Sequence, residues 1–215
     1  MGKHKLSDEL ENIWYHYKPH IFIGIVVVVI GIYFVFTMLH QKHEKVDMNV
    51  VFLGNGIQTE QQEKFQKGAT QNILGKSHSD SIIKTDFWPI SGSLNDSQQG
   101  AQLEKLMAMM STKQIDVLVT DKDDFFNLAQ QGAFLNLSSL KPELPKGTPI
   151  LAADVVTSKS TDKQRTKKEA CGVLISGNKK LESIGFNTQD KVLAILSNSQ
   201  HVKDARKFMT WLSQQ

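Results

Sequence analysis

Residues 48–53 read Met-Asn-Val-Val-Phe-Leu and form an almost continuous apolar run that ends at Gly54. A short run without polar alternation is typical of a strand buried on both faces, as in a parallel sheet. The polar segment that follows carries Phe65, Ala69 and Ile73 at helical spacing. Such spacing predicts a helix that packs one face against the strand, so the chain opens its polar part with a β-α unit.

The same alternation of strand and helix continues along the chain. Residues 81–88 and 115–119 are strand-like, and a helical stripe between them is formed by Leu103, Leu106, Met107 and Met110. A β-α-β-α-β-α order predicts right-handed crossovers and a doubly wound, mainly parallel sheet, which is an α/β fold. Further strands are predicted over residues 150–156, 172–175 and 192–196, with residues 158–168 as an exposed hairpin tip and a last helix at the C-terminus.

Three side chains are predicted to cap helices. Thr59 and Gln62 have the spacing of a capping box, in which each side chain bonds the backbone of the other residue. Ser199 precedes the last predicted helix and is a typical N-cap residue. Both predictions depend on local sequence alone.

Residues 21–39 contain no charge and no proline. About 20 apolar residues in a helix match the hydrocarbon core of a bilayer, so a transmembrane helix is predicted over residues 20–40. No small-x-small cleavage pattern follows, which favours an uncleaved signal anchor in the cell membrane. The predicted organisation is a cytoplasmic or interfacial tail over residues 1–19, a single membrane span, a linker over 41–47 and an extracytoplasmic α/β domain over 48–215.

Composition excludes several classes of protein. The chain has 215 residues, a formal net charge of +3 and one cysteine, Cys171. One cysteine permits no intrachain disulfide, and the dispersed Lys and Arg residues argue against nucleic acid as a partner. The apolar neighbours of Cys171 indicate a small core residue, with a reactive thiol as the alternative. No paired-cysteine site or cofactor-binding fingerprint occurs, so no metal and no cofactor are predicted.

Two phrases of the sequence resemble a known family. Residues 116–121 (Asp-Val-Leu-Val-Thr-Asp) lead through a short helix to residues 132–137 (Gly-Ala-Phe-Leu-Asn-Leu), and residues 208–212 read Phe-Met-Thr-Trp-Leu. These phrases resemble the extracellular solute-binding proteins of ABC importers. The resemblance implies one lobe of a type-2 periplasmic binding protein. The segment between residues 140 and 172 is too short for the second lobe with which that family closes its cleft.

The carboxyl ends of the predicted strands give the candidate binding residues. Ligands of open α/β sheets bind beyond these ends, which selects Asn55, Gly56, Trp88, Ser91, Thr120 and Asp121. Asp121 has two interpretations, a helix cap or part of a cation site with Asp123 and Asp124. Trp88 is expected either to stack on a ligand or to pack in the core.

No catalytic motif is visible, so the chain is predicted not to be an enzyme. The first functional hypothesis is a local interaction or scaffold module at the outer face of the cell membrane, which it would span once. Its partner would be a membrane or envelope protein. The alternative is a ligand-binding or sensing subunit that serves an ABC-type importer and binds a small solute or peptide.

Overall fold

A computed structural model describes residues 20, 22–36, 45–75, 81–90, 100–138, 143–160 and 163–214, and it gives only the backbone of residues 157–160 and 163–166. The chain divides into two compact units, Met1–His43 and Glu44–Gln215. Ser91 and residues 1–19 lie outside the described residues, so the predicted tail and this one candidate site residue lie there too.

The transmembrane prediction is contradicted. Among the described residues, no helix combines the length and the apolar composition that crossing a membrane requires. The described part of helix α1 comprises residue 20 and residues 22–36. This finding also contradicts the predicted single membrane span and signal anchor over residues 20–40.

The second unit contains six strands and five helices within its described residues. In chain order they are β1 (Lys45–Gly54), α2 (Thr59–Ile73), β2 (Ser81–Pro89), α3 (Gly100–Ser111), β3 (Val117–Asp121), α4 (Lys122–Gln130), β4 (Ile150–Ser160), β5 (Lys163–Leu174), α5 (Lys179–Glu182), β6 (Lys191–Ile195) and α6 (Val202–Ser213).

The strands form one mixed sheet in the order β2-β1-β3-β6-β5-β4. β1 pairs in parallel with β2 and β3, which confirms the predicted β-α-β-α-β half of the chain. β6 is antiparallel to β3 and to β5, and β5 is antiparallel to β4. The predicted mainly parallel sheet is therefore wrong. The short connections from β4 through β5 to β6 hold no long crossover helix, and antiparallel neighbours need none.

Helices cover both faces of the sheet. One face packs against α2, α5 and α6 around Phe52, whose ring stacks on Phe87 with centroids 4.4 Å apart. The other face packs against α3 and α4 around Phe125. Gly172 makes the second layer possible, because a Cβ there would lie 2.7 Å from the Phe125 ring and 2.6 Å from Val192 Cγ1.

Side chains of α2 form hydrogen bonds with the backbone of β2 along the outer edge of the sheet. Gln62 Nε2 donates to the carbonyl oxygen of Thr85 at 2.8 Å, and the Thr85 amide donates to Gln66 Oε1 at 3.2 Å. The Ile83 amide donates to Thr70 Oγ1 at 3.0 Å. These α2 residues recur every four positions and so lie on one helix face. They satisfy backbone groups that an edge strand otherwise leaves unpaired.

Local capping predictions fail where tertiary contacts compete. The residue at the N-cap of α2 is Gln58, which makes no side-chain capping bond, and Gln62 bonds β2 instead of Thr59. The N-cap of α6 is His201, while the Ser199 hydroxyl donates to Asp116. Long-range partners thus take the side chains that local sequence assigns to caps.

The β4–β5 hairpin extends past the rest of the sheet. β5 pairs with β4 at ten positions but with β6 only at Val173 and Leu174. The Leu137 amide adds one bond to the carbonyl oxygen of Ala170. We call residues 153–160 and 163–169 the arm. Within the described residues, the only strand partner of each side of the arm is the other side. A hairpin is therefore present as predicted, but residues 158–160 and 163–168, which were predicted to form its tip, belong to the strands.

Candidate functional site

The loop after β1 is held by the chain's own contacts. Asn55 Nδ2 donates to the carbonyl oxygen of Gly185 at 2.7 Å, and the Asn187 amide donates to Asn55 Oδ1 at 2.7 Å. A Cβ at Gly56 would lie 3.7 Å from Pro89 Cβ, which is ordinary contact. Asn55 therefore fixes the loop that contains Gly185 and Asn187, so its amide serves the fold at this edge.

Asp121 forms an ion pair with a buried lysine. Lys191 Nζ lies 2.9 Å from Asp121 Oδ1, and the two residues are direct partners in the β3–β6 ladder. The Lys191 side chain is 6% exposed and that of Asp121 is 39% exposed. Asp121 also occupies the N-cap position of α4, but its side chain makes no capping bond. The ammonium group of Lys191 neutralises the carboxylate that the sequence offered to a cation.

The other two described candidates face the α3–α4 side of the sheet. Thr120 is fully buried, and its Oγ1 has no hydrogen-bond partner within the described structure. Trp88 packs against the cluster that contains Phe125, and Lys105 Nζ lies 4.8 Å from the centroid of its ring. Core packing, the second interpretation of Trp88, is the one that its contacts support.

A buried carboxylate just before the amino end of β3 was not predicted. Asp116 is 3% exposed and precedes β3. Its Oδ1 accepts from Ser199 Oγ at 2.6 Å, its Oδ2 accepts from the Asn49 amide at 3.0 Å, and His201 Nδ1 lies 3.2 Å from both oxygens. No local sequence signal joins these residues, because they meet only in the β3–β6 ladder, where Val117 faces Ile195 and residue 116 lies next to the turn after β6.

This cluster contains the residue types of a catalytic triad in a different arrangement. In a triad the serine hydroxyl bonds the histidine, which removes its proton during attack. Here the Ser199 hydroxyl and the His201 ring both bond Asp116, and the His201 amide donates to Ser199 Oγ at 3.1 Å. The geometry holds the start of α6 against β1 and β3, and the Ser199 hydroxyl bonds Asp116 rather than the His201 ring.

Cavities among the described residues also lie away from the predicted site. One of about 270 Å³ lies beside the loop of residues 145–149 and is lined by Val173, Ile175 and Asn178. Another, of about 350 Å³, lies between α2 and α6 and is lined by Asn72, Glu143, Lys207, Thr210, Trp211 and Gln214. In the part of the chain that the structure describes, no group of three His, Cys, Asp or Glu side chains has the placement of a metal site.

Comparisons with known proteins give no relative. No protein-family model, no curated protein and no solved structure matches the chain. The resemblance to solute-binding proteins therefore stays a prediction, and function has to be argued from the contacts themselves.

Proposed function

We propose that the domain is a non-enzymatic interaction module that docks a partner protein through the arm. The observation that carries the proposal is the extension of this hairpin beyond β6, since its two sides have only each other as strand partners over residues 153–160 and 163–169 of the described chain. A two-stranded hairpin is marginally stable in water unless other elements or partners pack against it. A docked partner would supply the missing contacts.

The chemistry at the carboxyl edge of the sheet also favours docking over catalysis. Asn55 is engaged with Gly185 and Asn187, and Asp121 is neutralised by Lys191. Catalysis needs a nucleophile or an acid-base pair whose reactive atoms are within reach of a substrate. The side chains of Asn55 and Asp121 are used instead for holding the fold.

Photocrosslinking in intact cells tests the proposal. A photoreactive amino acid is placed at Lys167 or Lys168, which are exposed on the arm, and at the exposed Lys64 or Lys67 of α2 as matched controls. We expect a discrete crosslinked protein from the arm positions and none from α2. Equal crosslinking from both sets, or none from the arm, would overturn the proposal.

The place of action is part of the same proposal. We keep the extracytoplasmic location and the solute-binding resemblance as predictions, because none of the described contacts depends on the compartment. Fractionation of cells followed by protease treatment from outside tests the location, and protection of the domain from the protease would contradict it.

A second function, ligand binding or sensing beside an importer, is favoured by the cavity between α2 and α6. One aromatic side chain, Trp211, lies there among polar side chains, as in sites that orient small polar molecules. A thermal-shift screen of the full chain with sugars, amino acids and short peptides tests it. A ligand at about 100 times its Kd adds about 2.7 kcal/mol of stability. Failure of the whole panel would overturn this alternative.

A further inference from the structure

We infer that the free edge of β5, residues 163–169, receives an acidic, extended peptide segment of the partner as an added β-strand. This inference rests on the proposed docking role of the arm and specifies its mode. In strand addition, backbone hydrogen bonds supply affinity and side chains supply selectivity. The backbone of residues 163–169 offers donors and acceptors that pair with β4 on one side and with no strand on the other within the described residues.

The edge of β2 and the edge of β5 in the arm differ in which groups hydrogen-bond their backbone. Three side chains of α2 occupy the backbone groups of Ile83 and Thr85 at the edge of β2. Residues 167–169 receive no backbone hydrogen bond from outside the hairpin in the described structure, and the nearest such bond along β5 goes to Ala170. A covered edge excludes an incoming strand, so addition is directed to the arm.

The charge of the edge selects the partner. Residues 163–169 read Lys-Gln-Arg-Thr-Lys-Lys-Glu, with four basic residues and one acidic residue. The acidic residue, Glu169, is already paired with Lys167 at 3.2 Å. Like charges that face each other across strands are destabilising and opposite charges are stabilising. A second copy of this edge is therefore repelled, and an acidic strand is attracted.

Peptide binding to the full chain tests the charge selection. The probe is a fluorescent seven-residue peptide that alternates glutamate and valine, compared with one that alternates lysine and valine. We expect saturable binding of the acidic peptide only, and a roughly tenfold loss of affinity in a K167E/K168E variant. K67E/K203E changes two exposed lysines elsewhere by the same charge and should bind as the parent does. Equal affinity in the two double variants would overturn the inference.

Proline substitution separates strand addition from simple charge attraction. Successive backbone amides of an antiparallel strand point to opposite sides. Of the neighbouring residues Thr166 and Lys167, one therefore directs its amide to β4 and the other directs its amide to the free edge. One of T166P and K167P removes a bond to β4 and lowers the Tm, while the other should keep the Tm and lose peptide binding. Unchanged affinity in the variant that keeps its Tm would overturn strand addition.

The crosslinking experiment distinguishes failure of strand addition from failure of the docking module. A crosslinked partner at Lys167 or Lys168 together with normal peptide binding in the proline variant would retain the docking module and reject strand addition. No crosslinked partner at the arm would reject the docking module itself.

Discussion

The edge of β2 and the edge of the arm differ in how their backbone groups are satisfied. At β2, the amides of Ile83 and Thr85 donate to α2 side chains, and the helix lies along the strand. At the arm, residues 163–169 bond only to the neighbouring strand of the described chain. Because unpaired edge groups attract further strands, this difference supports the proposal that a partner strand is added at the arm and not at β2.

The same two regions differ in burial. Phe52 lies in the central β1 with no exposed surface and contacts the rings of Phe65, Phe87 and Phe186. Val156 of the arm is only half-buried. Stability should therefore come from the parallel half, while the arm should contribute to binding and little to folding.

The largest expected effect is on stability in the parallel half. Phe52→Ala should lower the free energy of unfolding by about 3–5 kcal/mol, since it leaves a cavity among three aromatic rings. Val156→Ala should cost under about 1 kcal/mol, because its side chain removes less area from water. Urea denaturation of the two variants measures both. Equal losses would show that the arm is part of the folding core.

The next effect concerns the contact that joins the halves. Asp116→Ala removes the acceptor of Ser199 Oγ and of the Asn49 amide and leaves these donors without it. Buried donors without partners should lower the free energy of unfolding by about 1–3 kcal/mol, which urea denaturation of the variant measures. Glu104→Ala, at an exposed position of α3, is the matched control and should stay within about 0.5 kcal/mol. A silent Asp116→Ala variant would contradict an anchoring role.

A smaller effect is expected at the covered edge. Thr70→Val keeps the shape of the side chain and removes the acceptor of the Ile83 amide, which should cost about 0.5–1.5 kcal/mol. Lys67→Ala on the exposed face of α2 is the control. Size-exclusion chromatography should show more self-association of Thr70→Val than of the control, because an edge group is released. Purely monomeric behaviour at high concentration would argue against edge protection.

The smallest effect is a pH dependence from Cys171, at the base of the arm. Burial raises the pKa of its thiol above the usual value, a hydrogen bond with the Ala153 backbone opposes this shift, and the charge of Glu169 adds to it. The folded chain therefore keeps the proton at a pH where the unfolded chain loses it. This contribution to stability is complete below the unfolded pKa of about 8.5 and is lost as pH rises through the folded pKa.

Comparison with Cys171→Ala isolates this contribution. Between about pH 7 and about pH 10, the free energy of unfolding of the parent should fall relative to that of Cys171→Ala. The other titrating groups are the same in both proteins, so their contributions cancel in the difference. The thiol should also resist a thiol-specific reagent until the protein unfolds, since the thiolate is the reactive form. A difference that stays constant with pH, or rapid labelling of the native chain, would contradict burial of an uncharged thiol.

The sequence predicted the parallel half of the fold well, because its signals are local. An apolar run over residues 48–53 and the spacing of Phe65, Ala69 and Ile73 report burial directly, and the structure buries these three side chains. Cys171 was likewise predicted as a core residue and is fully buried. The antiparallel order of β6, β5 and β4 was missed, since apolar runs state that a strand is buried and not which way its neighbour runs.

The candidate site shows the same limit. Asn55 and Asp121 were correctly placed at strand ends, but their partners Asn187 and Lys191 are far away in sequence. The Asp116–Ser199–His201 cluster was missed because its members come together only through the pairing of β3 with β6. Contacts between residues distant in the chain depend on register, which a single sequence leaves open.

Sequence alone thus determined the strands and helices between residues 48 and 130 and the burial of their apolar side chains, because local apolar spacing encodes both. Only the tertiary structure decided strand direction, the ion pair that neutralises Asp121, and the contrast between a covered edge at β2 and an open edge at β5. These features depend on long-range backbone and side-chain hydrogen bonds, whose partners are chosen when the sheet assembles.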